Sequence, residues 1–171
     1  DLQVTVISDA APQPGEGEVL VQTILSAISP GTEMLVYRGQ FPNLPTDASI
    51  EGMQNLFSYP LAYGYACVGR VSQLGKDVHP EWLGRMVFSF QPHSSCFTAT
   101  PSQLLPIPAG ISLENACFFP NVETAVNLVQ DAAPLFGENA LVIGQGIVGL
   151  LVSALLSQFP LNSLVCTELY P

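Results

Sequence analysis

Residues 2–7 (LQVTVI) alternate apolar and polar positions, the period-two pattern of a half-buried strand. A Pro/Gly turn region follows at 10–17. Residues 19–28 (VLVQTILSAI) predict a second strand, which Ser29-Pro30-Gly31 breaks. Residues 32–38 then predict a short turn or helix, capped by Thr32 with Glu33 in its first turn. Pro42, Asn43 and Pro45 lie in a stretch without period, so 40–60 reads as a long surface loop. Strand patterns resume at 65–73 (YACVGRVSQ), 85–90 (RMVFSF), 97–100 and 103–107, with Gly64 and Gly69 at points of bending or close backbone approach. About six short strands at this spacing predict a small barrel or curled sheet.

Beyond residue 110 the period changes. Ser112 is a good N-cap with Glu114 just inside the helix. Ala116, Cys117, Val122, Ala125, Val126 and Val129 follow a helical spacing that Pro120 is expected to interrupt. Pro134 and Gly137 end that segment. Residues 140–143 (ALVI) read as a short buried strand, 147–158 as an apolar helix and 163–167 (SLVCT) as another strand. That order, β–α–β, is the unit of a parallel sheet. The fold class is therefore α/β with a β-rich part: a β-rich domain, a connecting helix, then the first βαβ unit of a second domain. A doubly wound sheet needs more strands, so this second domain is expected to be incomplete.

Composition narrows the picture. The chain has 171 residues, 48% hydrophobic, enough for one sizeable core or two small ones. Only 11% are charged, so part of the surface is expected to be covered by a partner or by further sequence. The formal net charge is −10, with Arg38, Arg70, Lys76 and Arg85 as the only basic side chains besides two histidines. Such a chain repels nucleic-acid backbones and anionic lipid. A single phosphorylated ligand on backbone N–H groups is still accommodated. Cys67, Cys96, Cys117 and Cys166 show no C-x-x-C spacing, which excludes a zinc ribbon. They read as buried free thiols in a reducing compartment, the cytoplasm. The start, Asp1-Leu2-Gln3-Val4, carries no signal-peptide pattern and no Met, and suggests a processed chain or a fragment. The apolar run 140–156 is interrupted by Gly144, Gln145, Gly146 and Gly149, so it reads as strand, loop and helix rather than a membrane span.

That interruption holds the sharpest motif. Gly144-Gln145-Gly146-Ile147-Val148-Gly149 follows a predicted strand and opens a predicted helix. In such a loop the first glycine makes the tight turn, and the second lets backbone approach a pyrophosphate. The third lets helix and strand pack closely. The helix start, with Ile147 and Val148, offers unpaired N–H groups and the positive end of its dipole. Glu168 closes the next strand, where a carboxylate can accept from an adenosine ribose and repel a 2′-phosphate. This favours NAD(H) over NADP(H). The competing reading is a glycine-rich turn that binds nothing, with Glu168 an ordinary exposed acid.

With these residues in view, the chain resembles the medium-chain dehydrogenase/reductase superfamily, the zinc-type alcohol dehydrogenase-like proteins, from about residue 15 to the end. GEGEVLVQTILSAISPGTEMLVYRG is similar to the family's opening strand and first active-site loop. YPLAYGYACVGRVSQLGKDV is similar to its signature, with Pro60, Gly64, Gly69 and Val71, and GRMV resembles its G-D-R-V step with Arg85 in place of Asp. ETAVNLV resembles its Thr-Ala helix. The resemblance implies a GroES-like β-barrel catalytic domain over 1–120 and the start of a Rossmann NAD(P)-binding domain over 121–171, with the active site between them. It also implies hydride transfer between nicotinamide and a carbonyl, alcohol or activated alkene. Family members run on through the Rossmann domain, so the chain is expected to be an N-terminal portion, a split product or a truncated gene model. Such a portion is expected to bind cofactor weakly. A homo-oligomer or a complementing C-terminal fragment would then be its partner besides the small-molecule substrate.

The chain departs from the family's zinc-binding members at each ligand. Pro30 stands where they carry Cys, Tyr65-Ala66 where they carry His-Glu, and the third ligand falls near Pro120. Proline and alanine offer no donor atom and tyrosine is a poor zinc ligand, so no zinc is expected. The resemblance gives Thr32 the role of the Ser/Thr that contacts the substrate oxygen, and Thr124 a place near the nicotinamide. Tyr65, at the former ligand position, is a candidate proton donor. Each has a plain alternative: Thr32 as a helix cap, Tyr65 as pocket wall, Thr124 as an ordinary helix threonine. His93, in a loop after a strand, has a side chain suited to a proton relay, but a lone loop histidine reads first as a surface residue. Glu33 matches an acidic family position that braces the loop. Short GTE and G-Y stretches resemble a zinc-lacking branch that includes bacteriochlorophyllide dehydrogenase-like proteins. The alternative to an enzyme is a non-catalytic dinucleotide-binding relic of the same fold.

Overall fold

The computed structural model describes residues 3–40 and 59–170. The chain divides into two compact units, residues 1–117 and 118–171. The loop expected over 40–60 falls almost wholly outside the described residues.

The first unit is built on an antiparallel sheet in the order β4-β1-β2-β3-β5. Its strands are β1 (Val19–Ser26), β2 (Cys67–Leu74), β3 (Met86–Ser89), β4 (Cys96–Ala99) and the two-residue β5 (Leu105–Pro106). Alternation along β1 and β2 sends Val19, Val21 and Val71 into one core with Cys67, Val87, Phe97, Ala99 and Leu104. Ala66, Val68, Phe88, Ala116 and Cys117 form a second buried cluster, against which Leu25 and Tyr65 pack. Gly69 is required where β2 crosses β1. A Cβ there would stand 2.5 Å from the Gln22 carbonyl oxygen and 2.6 Å from Val21 Cγ1, closer than any real side chain sits.

The strand expected at 2–7 does not form over its described residues. Residues 3–7 have no ladder partner, and Val6 is 97% exposed. Alternation reports a half-buried surface only where another element covers it. The cap expected at Thr32 also differs. The helix α1 (Thr32–Tyr37) takes Gly31 as its N-cap, and Thr32 is its first helical residue. Glu33 takes over that end: its Oε1 accepts from the Ser29 N–H at 2.8 Å, while its own N–H donates to the Ser29 carbonyl at 3.1 Å.

The second unit begins with a helix rather than an interrupted one. A single turn, α2 (Leu113–Ala116), is capped by the Ser112 hydroxyl on the Asn115 N–H at 3.2 Å and closes the first unit. The helix α3 (Phe119–Ala132) then starts afresh, with Pro120 in its first turn, where a missing N–H costs nothing. It is followed by β6 (Asn139–Ile143), α4 (Ile147–Leu156) and β7 (Ser163–Thr167). β6 and β7 pair in parallel, Asn139 opposite Ser163 through Ile143 opposite Thr167. Among the described residues no helix is long and apolar enough to cross a membrane. All four cysteines are unpaired. Cys67 and Cys117 are buried as expected, whereas Cys96 is half-buried and Cys166 exposed on the uncovered β7.

Candidate functional site

The glycine loop sits between β6 and α4, and its three glycines differ in what they permit. Gly144 has φ of +90°, a left-handed turn that L side chains rarely adopt, and its N–H donates to the Thr167 carbonyl at 2.8 Å. Gly146 is the N-cap of α4. Nothing lies within 4 Å of where a Cβ would stand on either. Gly149 is the opposite case: a Cβ there would lie 2.0 Å from the Gly144 carbonyl oxygen. The loop can therefore fold back on its helix only with glycine at 149, and it presents an open backbone face at 144 and 146. Ile147 and Val148 open α4, so their N–H groups lack intrahelical acceptors. Loop and helix start together form an open cradle of backbone with N–H groups at its edge.

Glu168, directly after β7, is tied to this loop. Its Oε2 accepts from the Gln145 N–H at 2.5 Å, and its Oε1 from the Leu169 and Tyr170 N–H groups at 2.6 and 3.1 Å. These donors, Gln145 first, hold the Glu168 carboxyl below the usual glutamate range, although the side chain is exposed. A fixed anion thus stands beside the cradle. Gln145 is itself braced, by its Nε2 on the Gly144 carbonyl at 3.0 Å and by Ser153 Oγ on its Oε1 at 3.3 Å. Thr124 lies on the exposed side of α3 and donates to the Pro120 carbonyl at 2.9 Å.

In the first unit, Thr32 begins α1 and Tyr65 precedes β2, half-buried against the second apolar cluster. The Tyr65 ring meets that of Tyr63 edge-on, with centroids 6.4 Å apart. Burial, then the neighbouring Tyr65 and Glu33, push the Tyr63 phenol up. Burial likewise raises the Cys67 thiol, which suits an inert core position rather than a nucleophile.

The structure also assembles side chains that the sequence leaves apart. Ser26 ends β1 and pairs with Cys67 at the start of β2, and Cys67 pairs with Ser89 at the end of β3. The loop leaving β3 therefore emerges beside Ser26 and carries His93 there. Ser26 Oγ is hydrogen-bonded to His93 Nδ1, and His93 Nε2 meets Glu33 Oε2 at 2.8 Å. Ser26 Oγ also lies 3.4 Å from Cys67 Sγ. His93 is an exposed loop residue, as expected, and what the sequence did not show is its partners: a third of its side chain meets solvent, while that of Glu33 is 14% exposed. His93 is fixed at both ring nitrogens, and its N–H donates to the Tyr63 carbonyl at 3.0 Å. Gly64, at φ +123°, makes room for the ring: a Cβ there would stand 2.8 Å from His93 Cδ2. Among the described residues no group of three or more His, Cys, Asp or Glu is arranged to hold a metal ion.

No protein-family profile matches the chain. Over 88 residues, 52% of the chain, it is 36% identical to 2-desacetyl-2-hydroxyethyl bacteriochlorophyllide A dehydrogenase of Cereibacter sphaeroides, and the match covers 24% of that protein. Among solved structures it is similar to human synaptic vesicle membrane protein VAT-1 homolog-like protein, at 26% identity and a TM-score of 0.71 over 93% of the chain and 49% of that protein. It is also similar to the CurF ER cyclopropanase of the curacin A pathway, at 25% identity and a TM-score of 0.76 over 96% of the chain and 50% of that one. The chain thus spans about half the length of these structures.

Proposed function

Since the chain belongs to the medium-chain dehydrogenase/reductase superfamily and corresponds to its N-terminal portion, we propose that it serves an NAD(P)(H)-dependent oxidoreductase that works without zinc. The observation that carries this reading is the Gly144–Gly149 loop. It joins a parallel strand to a helix, excludes a side chain at 149 and stands against the carboxylate of Glu168. A bound nicotinamide dinucleotide would supply or take the hydride. Gly144, Gly146, Ile147, Val148 and Gly149 would hold its pyrophosphate, Glu168 its ribose, and Thr124 would lie near the nicotinamide. The fixed anion at 168 favours NAD(H), because a 2′-phosphate would meet it at close range. On this reading residues 1–120 are a GroES-like catalytic domain and 121–171 begin a Rossmann domain.

Zinc independence rests on donor chemistry. By the resemblance, Pro30, Tyr65-Ala66 and a position near Pro120 match the places where zinc-dependent relatives carry their ligands; proline and alanine have no donor atom and tyrosine is a poor zinc ligand. Thr32 and Tyr65 would contact the substrate oxygen, a carbonyl, an alcohol or the oxygen of an activated alkene. The unpaired cysteines support a reducing compartment, the cytoplasm. The test uses the full product of the native reading frame. Oxidation of NADH is followed with a panel of quinones, enones and aldehydes, and turnover on at least one is expected. Tight NADH binding with no turnover on any would favour the non-catalytic dinucleotide-binding alternative. A Tyr65→Phe enzyme with unchanged kcat would remove Tyr65 from the chemistry and leave it as pocket wall.

A further inference from the structure

Gln145 is the one polar side chain in the Gly144–Gly149 loop, and the oxidoreductase reading gives it no task. Its carboxamide turns back onto the loop. Nε2 donates to the Gly144 carbonyl at 3.0 Å, and Oε1 accepts from Ser153 Oγ, on α4, at 3.3 Å. Ser153 Oγ in turn lies 3.2 Å from Cys166 Sγ, on β7. We propose that Gln145, braced by Ser153, is a positioning residue for the dinucleotide. It fixes the peptide between Gly144 and Gln145 with the carbonyl turned onto α4, so that this oxygen does not face an incoming phosphate. The proposal rests on the dinucleotide reading of the loop, and on the geometry of the second unit for everything else.

The hydrogen-bond directions close in one way. The Gly144 carbonyl only accepts, so the carboxamide presents its N–H to it and its oxygen to Ser153. That oxygen also only accepts, so the single Ser153 hydroxyl proton goes to it. The Ser153 oxygen is then left to accept, and the Cys166 thiol is the donor beside it. A serine inside a helix commonly returns its proton to the carbonyl four residues back. Ser153 gives it to a loop residue eight positions earlier.

The same peptide is held from its other side, because the Gln145 N–H donates to Glu168 Oε2. The C=O and N–H of one peptide point in opposite directions, so the two bonds favour a single orientation of its plane. Gly149 completes the seat. A Cβ there would stand 2.0 Å from the Gly144 oxygen and 3.7 Å from Gln145 Nε2. Glycine at 149 admits the carbonyl, and Gln145 supplies the hydrogen bond that water would otherwise make. Such a tie is needed because Gly144, at φ +90°, has no Cβ to restrict its backbone. With the peptide turned over, a carbonyl oxygen would meet the phosphate where an anion site requires N–H groups. Holding the plane before the ligand arrives removes that ordering cost from binding.

The experiment has two arms on the full native protein. The first needs no cofactor. In ¹⁵N–¹H NMR the Gln145 side-chain amide should exchange slowly with water, and Ser153→Ala should bring it to the rate of an exposed glutamine. An exposed-glutamine rate in the wild type would overturn the bracing. The second arm measures affinity for NADH, ADP and adenosine, of which only the first two carry a pyrophosphate. Gln145→Met keeps the length and bulk of the side chain and removes both polar ends. It should weaken NADH and ADP about tenfold and adenosine less than about twofold, with the unfolding midpoint unchanged. Ser153→Ala should weaken NADH about threefold, and added to Gln145→Met it should cost nothing more, because the serine acts through the carboxamide. Equal losses for all three ligands, or additive effects of the two substitutions, would overturn the positioning role. Wild-type NADH affinity in Gln145→Met would overturn the proposal alone. A wild type that binds neither NADH nor ADP would overturn the dinucleotide reading and the proposal with it.

Discussion

The antiparallel sheet and the βαβ unit are made of similarly apolar strands and handle them in opposite ways. β1 lies between β4 and β2, and β2 between β1 and β3, so Val19, Val21, Val68 and Val71 lose almost all contact with water. Among the described residues β6 and β7 pair only with each other, and Leu141 and Ile143 remain 58% and 80% exposed. The first unit derives its order from a packed interior. The second holds its glycine loop by backbone geometry, through a left-handed turn at Gly144, a contact at Gly149 too close for any side chain, and a carboxylate accepting three N–H groups. Hydrophobic composition alone would not separate the two. What separates them is how many neighbours each strand has.

The largest test of this contrast is at the glycine of the packed unit. Gly69→Val drives atoms into the Gln22 backbone and Val21, and should cost about 3 kcal/mol in urea unfolding. A cost under about 1 kcal/mol would show that β1 and β2 are looser than their packing implies. Gly149→Ala comes next, at about 2 kcal/mol, because its clash with the Gly144 carbonyl is relieved by opening the loop rather than by disrupting a core. NADH fluorescence titration should show cofactor affinity falling together with this loss, and unchanged affinity would separate the loop from the cofactor. Ile143→Thr, on the exposed face of β6, should change stability by no more than about 0.5 kcal/mol. A large loss there would mean that another surface covers β6 in solution.

The smallest effect is electrostatic. Folding depresses the Glu168 pKa, so the bonds to Gln145, Leu169 and Tyr170 are at full strength above the ordinary glutamate range. They are lost as pH falls through the depressed folded value. The amide resonances of those three residues should titrate together below the normal glutamate range, and Glu168→Gln should abolish the shift. Titration at the ordinary glutamate value would remove the carboxylate from the loop. The same variant should narrow any preference for NADH over NADPH.

How much of this was legible in the sequence depends on the range of the interaction. Local signals were readable. The strands at 19–26 and 67–74, the Ser112 cap and the strand–loop–helix around Gly144 all follow from period, caps and glycines. The misreadings are also local in origin. Residues 3–7 have a strand's alternation without a partner, and Pro120 looks like an interruption until a helix is seen to begin at 119. Thr32 has the chemistry of a cap, but Gly31 takes that position and Glu33 closes the turn. Ser26 and His93 were illegible as a pair because 67 residues separate them. Only the register that sets Ser26 opposite Cys67 and Cys67 opposite Ser89 brings them together, and nothing in either residue's neighbours announces it.

Gly64 shows how far such a pair can depend on a residue with no reactive atom. Its bare α-carbon is the surface on which the His93 ring rests, and any larger residue would occupy the volume of the imidazole. A side chain at position 64 would therefore displace the imidazole, although the glycine carries no functional group of its own. Its contribution is that of a vacancy, which one neighbour's ring fills.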